Sequence, residues 1–431
     1  MKYPASLPLH LQHVFRAFAS RNYRLYFSGL GISLIGSWMQ NIAMSWLIYR
    51  LTRQPFLLGL TAFLTQAPAL FLNPLAGVLA DRISKRRIIA ITQSLAALQA
   101  IALAALTFSA LIKPWHIIAL SLFLGFVMPF DVTARQSFVI DIVGRKDYLG
   151  NAIALNSVMF NFARLVGPAL AGILITSAGE GACFLANALS YAAALAALWA
   201  LNIRKAPPSP HHHFLRQLAQ GIHYAWHSRP TRALLLLTAF ISLIGLPYQT
   251  LTPIVAREIL AGNARTLGFL NSGVGLGALL GALSLASRPS PKGLPLIVAL
   301  ASALFGASLA LFALSHLLPL SLALTPFIGA GILLLLASTN TLLQTITDDH
   351  HRGRVVSLFT TAMMGLVPYG CLIVGALAHI ITAPATLLIC GLLCLSAAII
   401  FTPCLPSFHA ELDTITTSLT HPDNLPANQH T

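Results

Sequence analysis

Charge is scarce in this sequence. Only 9% of its 431 residues are Asp, Glu, Lys or Arg, against roughly 25% in a soluble domain. A folded chain with so little charge cannot cover itself with a water-facing surface, which excludes an ordinary soluble enzyme or binding module. Acid is scarcer still. The 11 Asp and Glu stand against 26 Lys and Arg, for a formal net charge of +15. That balance invites a nucleic-acid partner, but the bases stand singly at the edges of apolar runs and form no continuous patch, so no nucleic acid is expected. Cysteine is rare as well: Cys183, Cys371, Cys390, Cys394 and Cys404 lie inside or at the end of apolar blocks. They read as small buried hydrophobes, including the Cys390/Cys394 pair one helical turn apart, and not as a disulfide framework. No GxxxxGK[ST], HExxH or GxSxG motif occurs. No cofactor, metal site or enzymatic chemistry is expected. No cleavable signal peptide is visible, because the first apolar block is a full-length span with no cleavage pattern after it.

What the chain has in abundance is hydrocarbon. Hydrophobic residues make up 56% of it, in repeated blocks of roughly 20 residues, the length that spans ~30 Å of bilayer core as a helix. Inside lipid only helices or closed barrels satisfy their backbone. The blocks are continuously apolar and do not alternate, so helices are predicted. Twelve spans are read near 25–49, 56–80, 88–110, 115–136, 151–177, 181–201, 232–256, 266–287, 294–314, 319–343, 355–380 and 384–404.

Basic residues give the threading. With an even number of spans, both termini lie on one side. Arg50, Arg53, Lys113, Arg257 and Arg265 fall on the other side, and Arg135 and Arg164 lie within spans. The remaining 19 of the 26 bases share the side of the termini, which the positive-inside rule makes cytoplasmic. The densest group is the loop Asp81-Arg82-Ile-Ser-Lys85-Arg86-Arg87. The predicted organisation is an N-terminal cytoplasmic segment (1–24), a first six-helix bundle (25–201), a cytoplasmic linker (202–231), a second six-helix bundle (232–404) and a cytoplasmic, disordered tail (405–431). A short amphipathic piece around 14–18 is expected on the membrane surface. The linker holds Pro207-Pro208-Ser209-Pro210, a stiff spacer, then His211-His212-His213, read as solvated, and a piece with Phe214, Leu215, Leu218 and Ile222 on one helical face. The halves are faintly alike. Gln136-x4-Asp141 recurs as Gln344-x4-Asp349 and Arg82 as Arg288, while Ser287 stands where the second Asp81 would be. Repeated halves of this kind are a feature of transporters.

Two groups of residues carry candidate chemistry. At the cytoplasmic ends, Asp81 can accept from a neighbouring helix N-terminus, and Arg82 can pair with an acid on span four, where Asp131 and Arg135 are one turn apart. These four charges, with Gly77 and Arg86, are expected to latch the cytoplasmic ends in one conformation and part in another. Within the membrane the sharpest feature is Arg164, mid-way along span five. A central Arg costs ~2.5–3.5 kcal/mol even on an insertion scale, so it should face a wet cavity or a partner. Asn161 shares its face, and Gly167-Pro168 follows, the proline removing a backbone donor. Two readings compete for Arg164: it binds an anionic part of a substrate, or it is a structural or gating ion paired with a carboxylate on span four. Gln40, Asn41, Gln66, Asn156, Tyr248, Gln249, Asn271, Asn340 and Tyr369, with Trp38 and Phe160, are candidates to line a broad amphipathic cavity. The run Gly273-x-Gly275-x-Gly277-x3-Gly281 reads as close helix packing, not as a phosphate cradle.

These motifs resemble those of the major facilitator superfamily. Gly77-x-Leu79-Ala80-Asp81-Arg82-x2-Lys85-Arg86 is similar to its signature between helices two and three, with Ser84 in place of the usual glycine. Ala163-Arg164-Leu-Val-Gly167-Pro168-Ala-Leu-Ala171-Gly172 is similar to its helix-five antiporter motif, with Ala163 and Ala171 in place of two glycines. Gly36-Ser-Trp38-Met39-Gln40, Asp131-x3-Arg135-Gln136, Asn151-Ala-Ile-Ala-Leu-Asn156-Ser and Arg352-Gly353-Arg354-Val355-x-Ser357 resemble the bacterial exporter branch that includes macrolide efflux proteins and the enterobactin exporter. The resemblance covers about residues 15–405. It implies an all-α membrane protein of twelve transmembrane helices in two six-helix bundles, working by alternating access in the bacterial inner membrane as a monomer, with protons, a small-molecule substrate and the lipid bilayer as partners. The expected function is export of an amphipathic organic molecule by proton antiport. A siderophore or other anionic metabolite is favoured by Arg164. The alternatives are multidrug or macrolide efflux, and import of a small nutrient or siderophore. Proton coupling needs a titrating group, and Asp131 is the candidate.

Overall fold

The computed structural model describes residues 16–143, 146–202, 223–288, 290 and 293–408. Among them there is no strand; the elements are helices, most of them long. In chain order these are α1 (Arg21–Thr52), α2 (Pro55–Arg82), α3 (Lys85–Phe108), α4 (Pro114–Val143), α5 (Lys146–Ala178), α6 (Glu180–Trp199), α7 (Arg229–Ile259), α8 (Ala264–Ala286), α9 (Leu294–Leu314), α10 (Leu318–Ile346), α11 (His351–Ile381) and α12 (Ala383–Phe408). Eleven are long and apolar enough to cross a membrane. The other, α1, has 32 residues. Its hydropathy is lowered by polar side chains such as Ser33 and Gln40, which are buried against other helices and not turned to lipid. The protein is a multi-pass membrane protein.

Proline and glycine mark where the helices bend. α2 breaks at Ala67, just before Pro68, and α11 at Leu366, two residues before Pro368. α7 loses its regular helix at Gly245 and continues through a 3-10 stretch (Leu246–Leu251) and a π-helical turn (Val255–Ile259). A proline lacks the N–H that the preceding turn needs, and neighbouring helices in a membrane protein can re-satisfy the freed groups. Pro74, Pro129, Pro326 and Pro168 lie inside helices that run through them unbroken, so the loosening expected at Pro168 from sequence is absent. At the C-terminus, Leu405 onward was expected to be disordered, yet α12 extends to Phe408, whose fully buried ring lies 5.7 Å from Phe401. An aromatic side chain there gains more from burial than a polar tail would. The proline run, the three histidines and the piece at 214–222 lie outside the described residues, as do Val14 and Phe15.

Two faces of the molecule can be distinguished. The basic face carries the Asp81–Arg87 loop and the start of α1; the opposite face carries the far ends of α1, α5, α7 and α11. At the opposite face the two halves are locked together by backbone contact. A Cβ added to Gly172 on α5 would lie 3.2 Å from the Cα of Gly268 on α8, and one on Gly59 of α2 would lie 3.1 Å from the Cα of Gly375 on α11. No other residue fits such an approach without displacement. Toward the basic face the same helices diverge: Cβ atoms added at Gly77 on α2, Gly150 on α5 or Gly353 on α11 would meet nothing within 4 Å. The halves are closed at the opposite face and parted at the basic face. The glycines of α8 serve packing within and between the halves, Gly277 against Pro326 of α10 and Gly275 against Arg164 and Leu165 of α5.

Candidate functional site

Arg164 sits where α5 meets both halves. Gly167 one turn further on lets α1 approach, because a Cβ there would strike Trp38, and Gly275 lets α8 approach the Arg164 backbone. The side chain is half-buried and directed between the halves. Its guanidinium carbon lies 5.8 Å from the ring centroid of Trp38 on α1, and the buried phenol of Tyr248 on α7 is within electrostatic reach. Cation–π contact of this kind contributes about 0.5–2 kcal/mol, but a ring face is not a counter-ion. Among the described residues no carboxylate pairs with Arg164. Phe160, 47% exposed, packs edge-on to Trp38 at 5.9 Å. The result is one unneutralised cation set in an aromatic wall.

The carboxylate expected to pair with it is engaged elsewhere. Asp131 is 4% exposed. Its Oδ2 lies 2.7 Å from Arg135 Nε, and its Oδ1 accepts from Thr92 Oγ1 at 2.8 Å and Gln93 Nε2 at 2.9 Å. All of this lies within the first bundle, between α3 and α4. The expected pairing of Arg164 with a carboxylate on span four is therefore corrected. So is the expected pairing of Arg82 with Asp131. Arg82 is exposed and Asp81 half-buried, and neither carries a hydrogen bond or ion pair among the described residues. With the halves parted at this face, nothing from the second half is near enough to engage them.

Their neighbours do structural work that the sequence did not assign. Lys85 Nζ lies 2.9 Å from Asp141 Oδ2 and donates to the Ser137 carbonyl at 3.3 Å, tying α3 to the end of α4. Arg86 donates to the carbonyls of Trp199 and Leu201 at 3.0 and 3.3 Å. This covers the C-terminal end of α6, where carbonyls lack partners and positive charge is favoured.

The remaining candidates separate into three groups. Gln40 is 2% exposed; its amide donates to Gln99 Oε1 at 2.9 Å and accepts from Asn187 Nδ2 at 2.9 Å. It belongs to the interior of the first bundle, bonded to α3 and α6 and not turned toward Arg164. Asn156 is likewise engaged, with its Oδ1 3.1 Å from the Tyr23 hydroxyl. Tyr369 packs edge-on to Phe63 of α2 at 5.4 Å, inside the α2–α11 closure. In contrast, Asn41 is exposed one turn beyond Trp38, and Asn161 is one turn before Arg164, donating to its own helix at Ser157 at 2.9 Å. Gln249 is half-buried beside Tyr248. Gln66 is exposed at the break in α2, its amide turned back on the Ala62 carbonyl at 3.5 Å. The structure thus brings Trp38, Phe160, Arg164 and Tyr248 together where the halves meet, with Asn161 one turn from Arg164, Asn41 one turn from Trp38 and Gln249 beside Tyr248; Gly167 is buried against Trp38 of α1 and Pro168 against Gly268 of α8.

Sequence reasoning missed the closure of the opposite face. Tyr49 of α1 donates to Glu258 of α7, and Arg257 stands 5.7 Å over the ring of Trp46. The π-helical turn at Val255–Ile259 presents both residues to α1. Arg50 and Glu180 add an ion pair of 2.7 Å within the first half. The scarcity of acid was the usable signal, since Glu180 and Glu258 are the acids nearest that face.

Comparison with known proteins bears on what this architecture is for. The transmembrane secretion effector family of the major facilitator superfamily matches residues 14–428. The chain belongs to that family. It is a major facilitator transporter of small molecules and not an enzyme. It is 24% identical over 381 residues to the staphyloferrin A transporter of Staphylococcus aureus, covering 88% of this chain and 95% of that one. It is 27% identical over 370 residues to the enterobactin exporter EntS of Shigella boydii, covering 84% and 87%. It is 24% identical over 382 residues to the multidrug efflux pump Tap of Mycolicibacterium fortuitum, covering 85% and 92%. Among solved structures, the nucleoside transporter NupG superposes with a TM-score of 0.66 at 16% identity, covering 89% of this chain and 99% of that one. The D-xylose–proton symporter superposes with a TM-score of 0.67 at 15% identity, covering 88% and 97%. Both share the major facilitator fold.

Proposed function

We propose that this transporter exports an amphipathic organic anion, of the siderophore or carboxylated-metabolite class, from the cytoplasm of a bacterium across its inner membrane by alternating access. The observation that carries this reading is Arg164, a cation between the halves that has no carboxylate partner among the described residues and whose surroundings are aromatic and amide groups. An anion bound there neutralises a charge that is otherwise costly at mid-membrane, while Trp38 and Phe160 take up its apolar part. A cation gains nothing from the same site. Relatives named for staphyloferrin A and for enterobactin export support the class. The face that carries the Asp81–Arg87 loop is assigned to the cytoplasm, because the threading read from the sequence gives that side 19 of the 26 bases. The halves then part toward the cytoplasm, ready to load. The six-plus-six division at 25–201 and 232–404 is part of the same proposal, and a monomer suffices for the cycle.

Multidrug efflux is the second reading. Its support is the exposed Phe160 and the Trp38 ring, a surface that accepts flat apolar molecules of any charge, together with the relative named as the multidrug pump Tap.

Arg164→Ala separates the two. Affinity for an anionic amphipath is expected to fall at least tenfold in Arg164→Ala, with affinity for a neutral analogue of the same shape unchanged, measured by calorimetry on purified protein. Equal losses for both would leave multidrug efflux as the better account. Of the two energy sources open to such an exporter, proton counter-movement through Asp131 requires that carboxylate to leave Arg135, Thr92 and Gln93, whereas the membrane potential requires no titrating group.

A further inference from the structure

Ionisable groups near mid-membrane are few. Of the 11 acids, three lie beyond Phe408, seven sit at or near helix ends, and only Asp131 is buried within a span. Asp131 and Arg135 form a compact pair inside the first bundle, 2.7 Å apart, with Thr92 and Gln93 occupying the other carboxylate oxygen. Both charges of that pair move together with their bundle, so the pair carries no net charge through a rocking motion. Arg164 is different. Trp38 faces it from α1 and Tyr248 from α7, α8 reaches it through the Gly275 backbone, and no described residue supplies a counter-charge. A guanidinium keeps its proton at any physiological pH. The empty transporter therefore holds one fixed, uncompensated positive charge between its halves.

We propose that this transporter moves a monovalent anion electrogenically, driven by the membrane potential and without counter-moving protons. The proposal rests on the assignment of Arg164 as the anion site. Its charge balance is simple. With a monoanion bound, the site sums to zero and the loaded carrier reorients without feeling the potential. The anion leaves outside and the site returns to +1. The inside-negative potential then draws the empty site back toward the cytoplasm. One negative charge has moved outward per cycle and no proton has crossed. A divalent anion would leave the loaded site at −1, with a second charged group lacking a partner between the halves at the cost that neutralisation of Arg164 removes, and a cation would double the central charge. The aromatic wall and the single guanidinium thus select an amphipath with one negative charge.

The test uses full-length protein in liposomes and naphthalene-2-sulfonate as probe, a flat amphipath that is a monoanion at every pH used and so does not leak as a neutral acid. Under a 100 mV valinomycin–potassium potential at equal pH, the probe should accumulate on the positive side, approaching about 50-fold, the ratio equivalent to one charge moved across that potential. A pH gradient with the potential clamped at zero should give no accumulation, and naphthalene-2,6-disulfonate should not be accumulated in either case. Exchange of labelled probe between equal pools, which uses only the loaded carrier, should be insensitive to the potential. Arg164→Lys should keep this pattern. Arg164→Gln should lose binding of the probe in calorimetry, or, where binding survives, make exchange sensitive to the potential. Binding that depends on Arg164 combined with accumulation that follows the pH gradient would overturn potential-driven transport and leave the anion site standing. Wild-type protein that does not bind the probe, or Arg164→Gln protein that binds it equally well, would overturn the anion site itself. Equal accumulation of the disulfonate would overturn selection for one charge.

Discussion

At the scale of single residues, the polar side chains of this chain do two different kinds of work. Gln40, Gln99, Asn187 and Ser190 satisfy one another inside the first bundle, with bonds of 2.8 to 2.9 Å that hold α1, α3 and α6 together. Arg164 is left between the halves, while Asn41 is exposed and Gln249 half-buried beside Tyr248. Sequence alone does not separate the groups, because Gln40 and Asn41 are adjacent and have nearly the same chemistry; one position along a helix rotates a side chain by about 100 degrees. The separation has a consequence. Gln40→Leu removes one partner and leaves Gln99 and Asn187 buried without theirs, at a cost of ~1–3 kcal/mol each. The thermal midpoint of the purified protein should drop by several degrees, while the KM for transport stays within twofold of wild type. A rise in KM without loss of stability would return Gln40 to the substrate site.

At the scale of helices, glycine and proline placement determines how the halves meet. Gly59 and Gly268 hold matching positions, each four residues into its helix at Pro55 and Ala264, and each faces a glycine on the partner, Gly375 and Gly172. Two crossings related in this way close the opposite face by backbone contact. This leaves little energy stored in side-chain interlock, so the crossing can part without dragging large groups through each other. Gly375→Leu inserts a branched side chain where Gly59 and the Pro55 carbonyl stand. Spin labels at Gln54 and Ala261, in a background without cysteine, should then show a longer distance across that face and a shift away from the conformation seen here. An unchanged distance would mean that the α2–α11 crossing is not what closes it.

At the scale of the whole molecule, the parted basic face explains why the most recognisable motif has the fewest contacts. Gly77, Asp81 and Arg82 have no partners across the interface in this conformation, whereas Lys85 and Arg86 are already used within the first half. The latch we propose for these residues would be engaged only when the basic ends meet, and in this conformation they are apart. In that proposal Asp81 meets the second half when the basic ends come together. Asp81→Asn should reduce transport at least tenfold with normal membrane insertion and unchanged affinity for the anion in the conformation seen here. An unaltered transport rate would remove Asp81 from the cycle.

Much of this protein was legible from its residues. The length and continuity of the apolar runs dictate a polytopic helical protein, because a bilayer leaves the backbone no other way to satisfy itself. The loop Asp81–Arg87 and Arg164 stand out on the energetic cost of charge in hydrocarbon, with no structure needed. What only the tertiary structure decided is which polar groups meet. Asp131 turns to Thr92 and Gln93, not to Arg82 or Arg164, and Tyr49 meets Glu258 over a separation of 209 residues. Pairings of that kind depend on helix rotation and on the conformation in which the halves rest, and neither is written in hydropathy or in the spacing of a motif.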